Sequence, residues 1–355
     1  MLVEMPAWEV ISRLLNEKTV EEIADWCCVE YDLPIIESQR FVAEVHQLFE
    51  QQLVTDTEQT GRATENVIID LPKSFFSVRR YSINDSVFRA DFETAALDDF
   101  FHPQFMHLAC NGITGADHHF QVFFQEGNLV LRYDHIIIGM WKRECLNFLS
   151  GRLFMELLNS IHQKTADDWM AVFHASAVSD GQQCLLFLGD SGNGKSTLSA
   201  ILMANGFHLL ADDFVPVDAI NFRVHYLPAA LSVKKSALGH LVPLFPQLAT
   251  APEYFDPYLN KTFRYLANPG LSNHTSSGYP CKALVFVKYE KDSGLILEDM
   301  PKDIAFQSLV PSSWISPLPE VASRFLDWFL AMPCYRLTYS DNEAVVGAVR
   351  GMLEK

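Results

Sequence analysis

Apolar residues recur at helical spacing in three opening segments. In AWEVISRLLN, Val10, Ile11, Leu14 and Leu15 share one face, and in ESQRFVAEVHQLFEQQLV so do Phe41, Val42, Val45, Leu48 and Phe49. Between them, TVEEIADWCCVEY begins with Thr19 and has Glu22 three residues later, the spacing of a capping box. The polar stretch TDTEQTGRATEN (55–66) breaks the pattern and reads as a linker. From about residue 75 to 140 the period shortens to two and aromatic residues dominate, as in SFFSVRRYSI and HHFQVFFQEGNLVLRYDHIII. With a turn at Glu126-Gly127-Asn128, this predicts an antiparallel sheet. Leu146, Leu149, Leu153 and Leu157 predict a helix over 142–162.

A third section opens near residue 166. WMAVFHASAVSDGQQCLLFLG holds two β-type runs around Asp180-Gly181, a two-residue hairpin signal. GFHLLADDFVPVD and CKALVFVKYE predict further strands, and 301–331 and the tail SDNEAVVGAVRGML predict helices. The chain thus divides into a small helical domain (1–55), a linker (56–70), a β-rich subdomain with a closing helix (71–165) and a domain of mixed strands and helices (166–355). Strands interleaved with helices predict an α/β (α+β) fold.

Composition narrows the function. With 49% hydrophobic residues in 355, a large core is available. A net charge of −17 and a pI near 5.1 argue against a broad nucleic-acid-binding face, so any phosphate site must be local. No apolar run reaches the length of a membrane span, and MLVEMPAWEV lacks a basic region followed by an apolar core. A soluble, cytoplasmic chain with no membrane partner is expected, and a homo-oligomer is compatible with all of this. Seven scattered cysteines without a C-x-x-C pair read as reduced thiols.

The candidate chemistry centres on CLLFLGDSGNGKSTLSAIL (184–202). Gly189-Asp190-Ser191-Gly192-Asn193-Gly194-Lys195-Ser196 fits G-x-x-x-x-G-K-[ST]. Glycines allow positive φ and keep side chains away, so backbone N–H groups can turn inward around an anion. The helix that follows adds its unsatisfied N–H groups and positive dipole end. Lys195 would reach the β- and γ-phosphates of a nucleoside triphosphate, Ser196 would ligate Mg²⁺, and Thr197 could contact an α-phosphate.

Two further groups stand near this loop. A two-residue turn at Asp180-Gly181 would pair Ser179 with Gln182 and His174 with Phe187, two residues before Gly189. His174 then either points to the loop mouth or is satisfied within the sheet. Asp212 and Asp213 close the apolar run FHLLA sixteen and seventeen residues after Ser196. Paired acids at a strand end beside a phosphate loop suit a metal contact and a proton acceptor, although adjacent aspartates also cap helices and turns.

This combination of His174, the loop and LLADD resembles the bifunctional HPr kinase/phosphorylase family and its HPr-kinase-like relatives, over roughly residues 166–345, with YRLTYSDNEAVVGAV also similar to the helix-rich end of those relatives. The resemblance implies the P-loop core on a mixed sheet that is shared with phosphoenolpyruvate carboxykinase. It implies acid–base chemistry at a serine hydroxyl by His174 and Asp213, phosphate contact by Lys195, magnesium on Ser196, and support of that metal by Asp212 through water. The family's downstream magnesium-binding glutamate should fall near residue 238, but PAALSVKKSALGHL has no acid. Lys234, Lys235, Lys261 and Arg264 are the cations there and nearby. The lysines read as surface residues, and Arg264 is as suited to stabilising a transferring phosphoryl group as to an ordinary role.

The first fifty residues resemble the helical part of PqqD-like peptide chaperones, which capture leader peptides on a small sheet edge. Almost nothing precedes the first helix here to form that sheet, and a helical domain for packing or dimerisation fits equally. The leading expectation is an ATP- and Mg²⁺-dependent kinase acting on a serine-type hydroxyl of a protein, peptide or small molecule, with ribosomal-peptide modification as a context. The alternative is a nucleotide-responsive peptide-binding module with little phosphoryl transfer, which needs no base beside the γ-phosphate.

Overall fold

The structure is a computed structural model that describes residues 5–15, 18–31, 33–60, 69–256, 261–268 and 278–354. Helices α1 (Met5–Leu15), α2 (Val20–Glu30) and α3 (Ile35–Thr60) open the chain. Val10, Ile11, Ile23, Cys27, Val42 and Val45 bury one another in a separate small core, as their spacing requires. The capping box forms: Glu22 N donates to Thr19 Oγ1 at 3.2 Å and Thr19 N donates to Glu22 Oε2 at 2.9 Å. Helix α3 runs past the expected boundary at residue 55 to Thr60, and of the remaining linker, residues 61–68 lie outside the described residues.

The next section is a five-stranded sheet in sequence order: β1 (Ser77–Ile83), β2 (Ser86–Phe92), β3 (His118–Gln125), β4 (Asn128–Tyr133) and β5 (Ile136–Lys142). Glu126 and Gly127, at φ 50° and 81°, make the expected turn between β3 and β4. The sheet is not wholly antiparallel, because β2 and β3 run parallel. Parallel neighbours need a crossover, and α4 (Ala95–Phe105) supplies it. Its buried Leu97, Phe101 and Phe105 are spaced four apart, a helical signal hidden among strand-like aromatics. Helix α5 (Leu146–His162) closes the section and ends where expected, but starts four residues later than expected because Lys142 still belongs to β5.

The remainder is built on a ten-stranded mixed sheet. It comprises β6 (Trp169–Phe173), β7 (Ser176–Ser179), β8 (Cys184–Leu188), then, after α6 (Lys195–Ala204), β9 (His208–Asp212), β10 (Val215–Asp218) and β11 (Arg223–Val224). A separate three-stranded sheet follows, ordered β12 (Leu231–Lys234), β14 (Lys261–Leu266), β13 (Tyr254–Asp256), with the short helix α7 (Leu238–Leu241) after β12. The large sheet resumes with β15 (Tyr279–Tyr289) and β16 (Leu295–Asp299), and α8 (Lys302–Leu309), β17 (Ser313–Ile315), α9 (Pro319–Ala331), β18 (Cys334–Tyr339) and α10 (Asn342–Glu354) complete the chain. Strand β17 interrupts the helices expected over 301–331, and YRLTY at the supposed helix-rich end is strand.

Strand β15 runs parallel to both β8 and β18, while the other ladders of this sheet are antiparallel. The fold is therefore mixed α/β, of the α+β kind. One apolar cluster joins the five-stranded sheet and α5 to one side of the large sheet, so residues 71–165 and 166–355 share a core. A second cluster packs α6 and α10 against the other side through Leu198, Ile201, Val345 and Val349. Among the described residues no helix is long and apolar enough to cross a membrane.

Candidate active site

The glycine-rich loop leaves β8, every residue of which is buried, and ends at the first turn of α6. Two of its glycines are dictated by close approach. A Cβ on Gly189, at φ 132°, would lie 2.8 Å from the Val287 carbonyl oxygen, and one on Gly194, at φ 94°, would meet Tyr289 Cβ at 3.1 Å and Tyr339 Oη at 3.2 Å. Tyr289 N donates to the Asn193 carbonyl at 2.9 Å, tying the loop to the end of β15. Lys195 is buried, and its Nζ donates to the Gly189 carbonyl at 2.5 Å and to that of Asp190 at 3.5 Å. Burial lowers its pKa, while Asp213, Asp212 and Asp190 pull the other way.

The hairpin expected around Asp180-Gly181 has a different register. Its loop has four residues, Asp180 to Gln183, because Asp180 Oδ1 accepts from both Gln182 N and Gln183 N and so builds an Asx turn. Ser179 pairs with Cys184, which puts Ser176 rather than His174 opposite Phe187. Because the slip is of two positions, the alternation of faces along both strands is unchanged.

His174 instead lies where two ladders break. Phe173 pairs with Val215 on β6–β10, and Ser176 pairs with Asp212 on β7–β9, with the same offset. The two strand pairs form one antiparallel ribbon whose ladder opens at His174–Ala175 opposite Asp213–Phe214. Asp213 takes φ 62° there, a left-handed geometry that aspartate tolerates better than most residues. Freed from the ladder, His174 Nδ1 and Asp213 Oδ1 come to 3.6 Å, both side chains remaining open to solvent.

Asp212 keeps its place in the strand and is buried. Its Oδ1 accepts from the Ser176 hydroxyl and, at 3.2 Å, from the Ser196 hydroxyl, while its Oδ2 is buried without a partner. Burial, reinforced by the Asp213 charge, pushes its pKa up to about 7. A hard cation fits this arrangement: hydroxyl and carboxylate oxygens are the right donors, and an orphaned buried carboxylate oxygen lacks only a positive partner. Among the described residues no three His, Cys, Asp or Glu side chains group closely enough to hold a metal by themselves. Ser196 and Asp212 can therefore hold Mg²⁺ only with further oxygens from water or a bound phosphate.

These groups open into a cleft of about 450 Å³. The loop contributes Asp190, Ser191, Gly192, Gly194, Lys195, Ser196 and Thr197, and His174, Asp212 and Asp213 line the same space. Gly189 and Asn193 shape the loop without lining it. Helices α4 and α5 and the three-stranded sheet close the far side, with Phe100, Phe154, Tyr254 and Tyr265 among them.

Arg264 does not serve this cleft. Its guanidinium donates to the carbonyls of Leu248 and Ala249 and pairs with Glu253 at 2.9 Å. Strand alternation explains why: Arg264 sits opposite Val233, on the face of the small sheet turned away from the cleft, while Lys234 sits opposite Phe263 on the lining face. Lys234, read from sequence as a surface lysine, is half-buried, and its Nζ donates to Ser191 Oγ at 3.2 Å. Burial lowers its pKa, as does the charge of Lys261. Nothing in the sequence announces that Ser176 is the serine that faces Asp212.

No protein-family model matches the chain, and no curated protein matches it significantly.

Proposed function

We propose that the protein is an HPr-kinase-like kinase that transfers the γ-phosphoryl group of Mg²⁺-bound ATP to a serine-type hydroxyl. One observation carries this reading: a glycine-rich loop with a buried lysine, a buried carboxylate with an orphaned oxygen, and an open His–Asp pair share a single cleft. The loop amides, Lys195 and Lys234 would hold the triphosphate and offset its charge. Ser196 and Asp212 would hold the magnesium, which when bound neutralises charge on the phosphate oxygens. Asp213, oriented by His174, would accept the acceptor's proton. As the acceptor oxygen bonds to the γ-phosphorus in line, the bond to the bridging oxygen breaks and the nucleoside diphosphate leaves.

The resemblance of residues 166–345 to HPr-kinase-like proteins supports the same chemistry, without the family's downstream glutamate and with Lys234 rather than Arg264 as the second cation. A protein, peptide or small hydroxyl compound would be the acceptor, and the PqqD-like helices favour a peptide. The competing reading, a nucleotide-responsive peptide-binding module, draws on the separate core of α1–α3. Incubation with γ-labelled ATP, Mg²⁺ and a set of seryl peptides or a lysate separates the two. A kinase labels a hydroxyl acceptor, and Lys195→Ala and Asp213→Asn abolish the label. Nucleotide binding with no labelled product under any condition supports the module instead.

A further inference from the structure

The two flanks of the glycine-rich loop are chemically unlike. On one side β7 and β9 present Asp212, with Asp213 and His174 beside it. On the other side β15 lies parallel to β8 and ends at Tyr289. The backbone of Tyr289 donates to Asn193, and a Cβ on Gly194 would meet Tyr289 Cβ at 3.1 Å, so the backbone of Tyr289 is held close against the loop. Its ring meets the His240 ring edge-on, with centroids 5.8 Å apart and planes at 62°. Tyr289 is 37% exposed and His240 is exposed as well.

The segment from Lys234 to His240 links the two flanks. At its start Lys234 donates to Ser191 on the loop, in its middle Ser236 and Ala237 line the cleft, and at its end α7 carries His240 to Tyr289. The path along the loop therefore has an acidic end, a cationic middle and an aromatic end.

We propose that Tyr289 and His240 form the seat for the nucleobase. This rests on the nucleotide reading of the loop. If the terminal phosphate must lie beside Asp213 for its transfer, the inner phosphates and ribose extend away from the acids, toward β15. On that side Tyr289 and His240 present exposed aromatic rings next to the end of the loop. Stacking on an aromatic side chain is worth roughly 5- to 150-fold in affinity per base, and it suits a base because every base has a π-face.

The test compares Mg²⁺·ATP with Mg²⁺·tripolyphosphate, which has the anion and lacks the base, by calorimetric titration of the full chain. Wild type should bind ATP at least about tenfold more tightly than tripolyphosphate. His240→Ala and Tyr289→Leu should each weaken ATP about tenfold and leave tripolyphosphate within twofold. His240 lies on α7 and not on the loop or β15, so its variant decides the matter if Tyr289→Leu misfolds. Unchanged ATP affinity in His240→Ala, or an equal loss for both ligands, overturns the seat while leaving the loop's role intact. Wild type that binds neither ligand overturns the nucleotide reading itself, and the seat with it.

Discussion

Ser176 and Asp212 stand opposite one another on β7 and β9, and the Ser176 hydroxyl donates to the same carboxylate oxygen that receives Ser196. Both bonds favour the ionised carboxylate, yet burial and Asp213 outweigh them and hold Asp212 near pH 7. The folded chain therefore prefers Asp212 protonated. That contribution to stability is full below about pH 4, where the unfolded group also carries its proton, and is lost as pH rises through about 7. Asp212→Asn should raise the melting temperature of the ligand-free protein at pH 8 and change it little at pH 4.5, as thermal melts at the two pH values would read. Ser176→Ala removes one of the opposing bonds and should move the loss of stability to higher pH.

Magnesium alone should do little. With one buried carboxylate and one hydroxyl, the site is incomplete without phosphate oxygens. Scanning with Mg²⁺ alone should leave the melting temperature within about a degree, while Mg²⁺·ATP at a hundred times its dissociation constant adds about 2.7 kcal/mol and should raise it by several degrees. Equal stabilisation by the metal alone would place its site elsewhere.

The loop glycines should separate in denaturant unfolding. Gly192 has φ 103° but open space around its missing Cβ, so Gly192→Ala should cost only the backbone strain of about 1–2 kcal/mol. Gly189→Ala adds a clash with the Val287 carbonyl and should cost more, while also displacing Lys195 from its carbonyl partner. A larger loss for Gly192→Ala than for Gly189→Ala would contradict the packing described.

Acid should weaken the fold through His225. This ring is 2% exposed and packs against both His162 and Trp169, and its Nε2 makes no hydrogen bond although the Asp218 carboxylate lies 3.8 Å away. Burial, with help from the charge of His162, lowers its pKa to about 4. The unfolded state then takes up its proton first, so stability is full above about pH 6.5 and falls as pH drops toward 4, by up to about 3 kcal/mol. Urea melts of His225→Phe should show a shallower acid slope than wild type, and an unchanged slope would assign the loss to other groups.

What the sequence made legible was local. The loop reads directly because a strand, its glycines, a lysine and a helix start all fall within twenty residues. The helices of the first domain read from spacing alone, down to the Thr19–Glu22 box. What escaped needed partners distant in sequence. The meeting of His174 with Asp213 depends on a ribbon opening in register on both strands, and the choice of Lys234 over Arg264 depends on which face of a small sheet turns to the cleft. Helix α4 was hidden because its buried positions fall inside an aromatic run that also suits strands. The Asp180 turn is two residues longer than its Asp-Gly signal predicts because a side-chain carboxylate, not only Gly181, builds it.

The most direct measurement is calorimetric titration of the purified full chain with Mg²⁺·ATP, beside Lys195→Ala and an EDTA control. Saturable binding at one site is expected, weakened at least about tenfold by loss of the buried lysine and by removal of the metal. Absence of binding heat across a range of temperatures, with no competition against a fluorescent ATP analogue, would contradict the central claim that this loop holds a triphosphate.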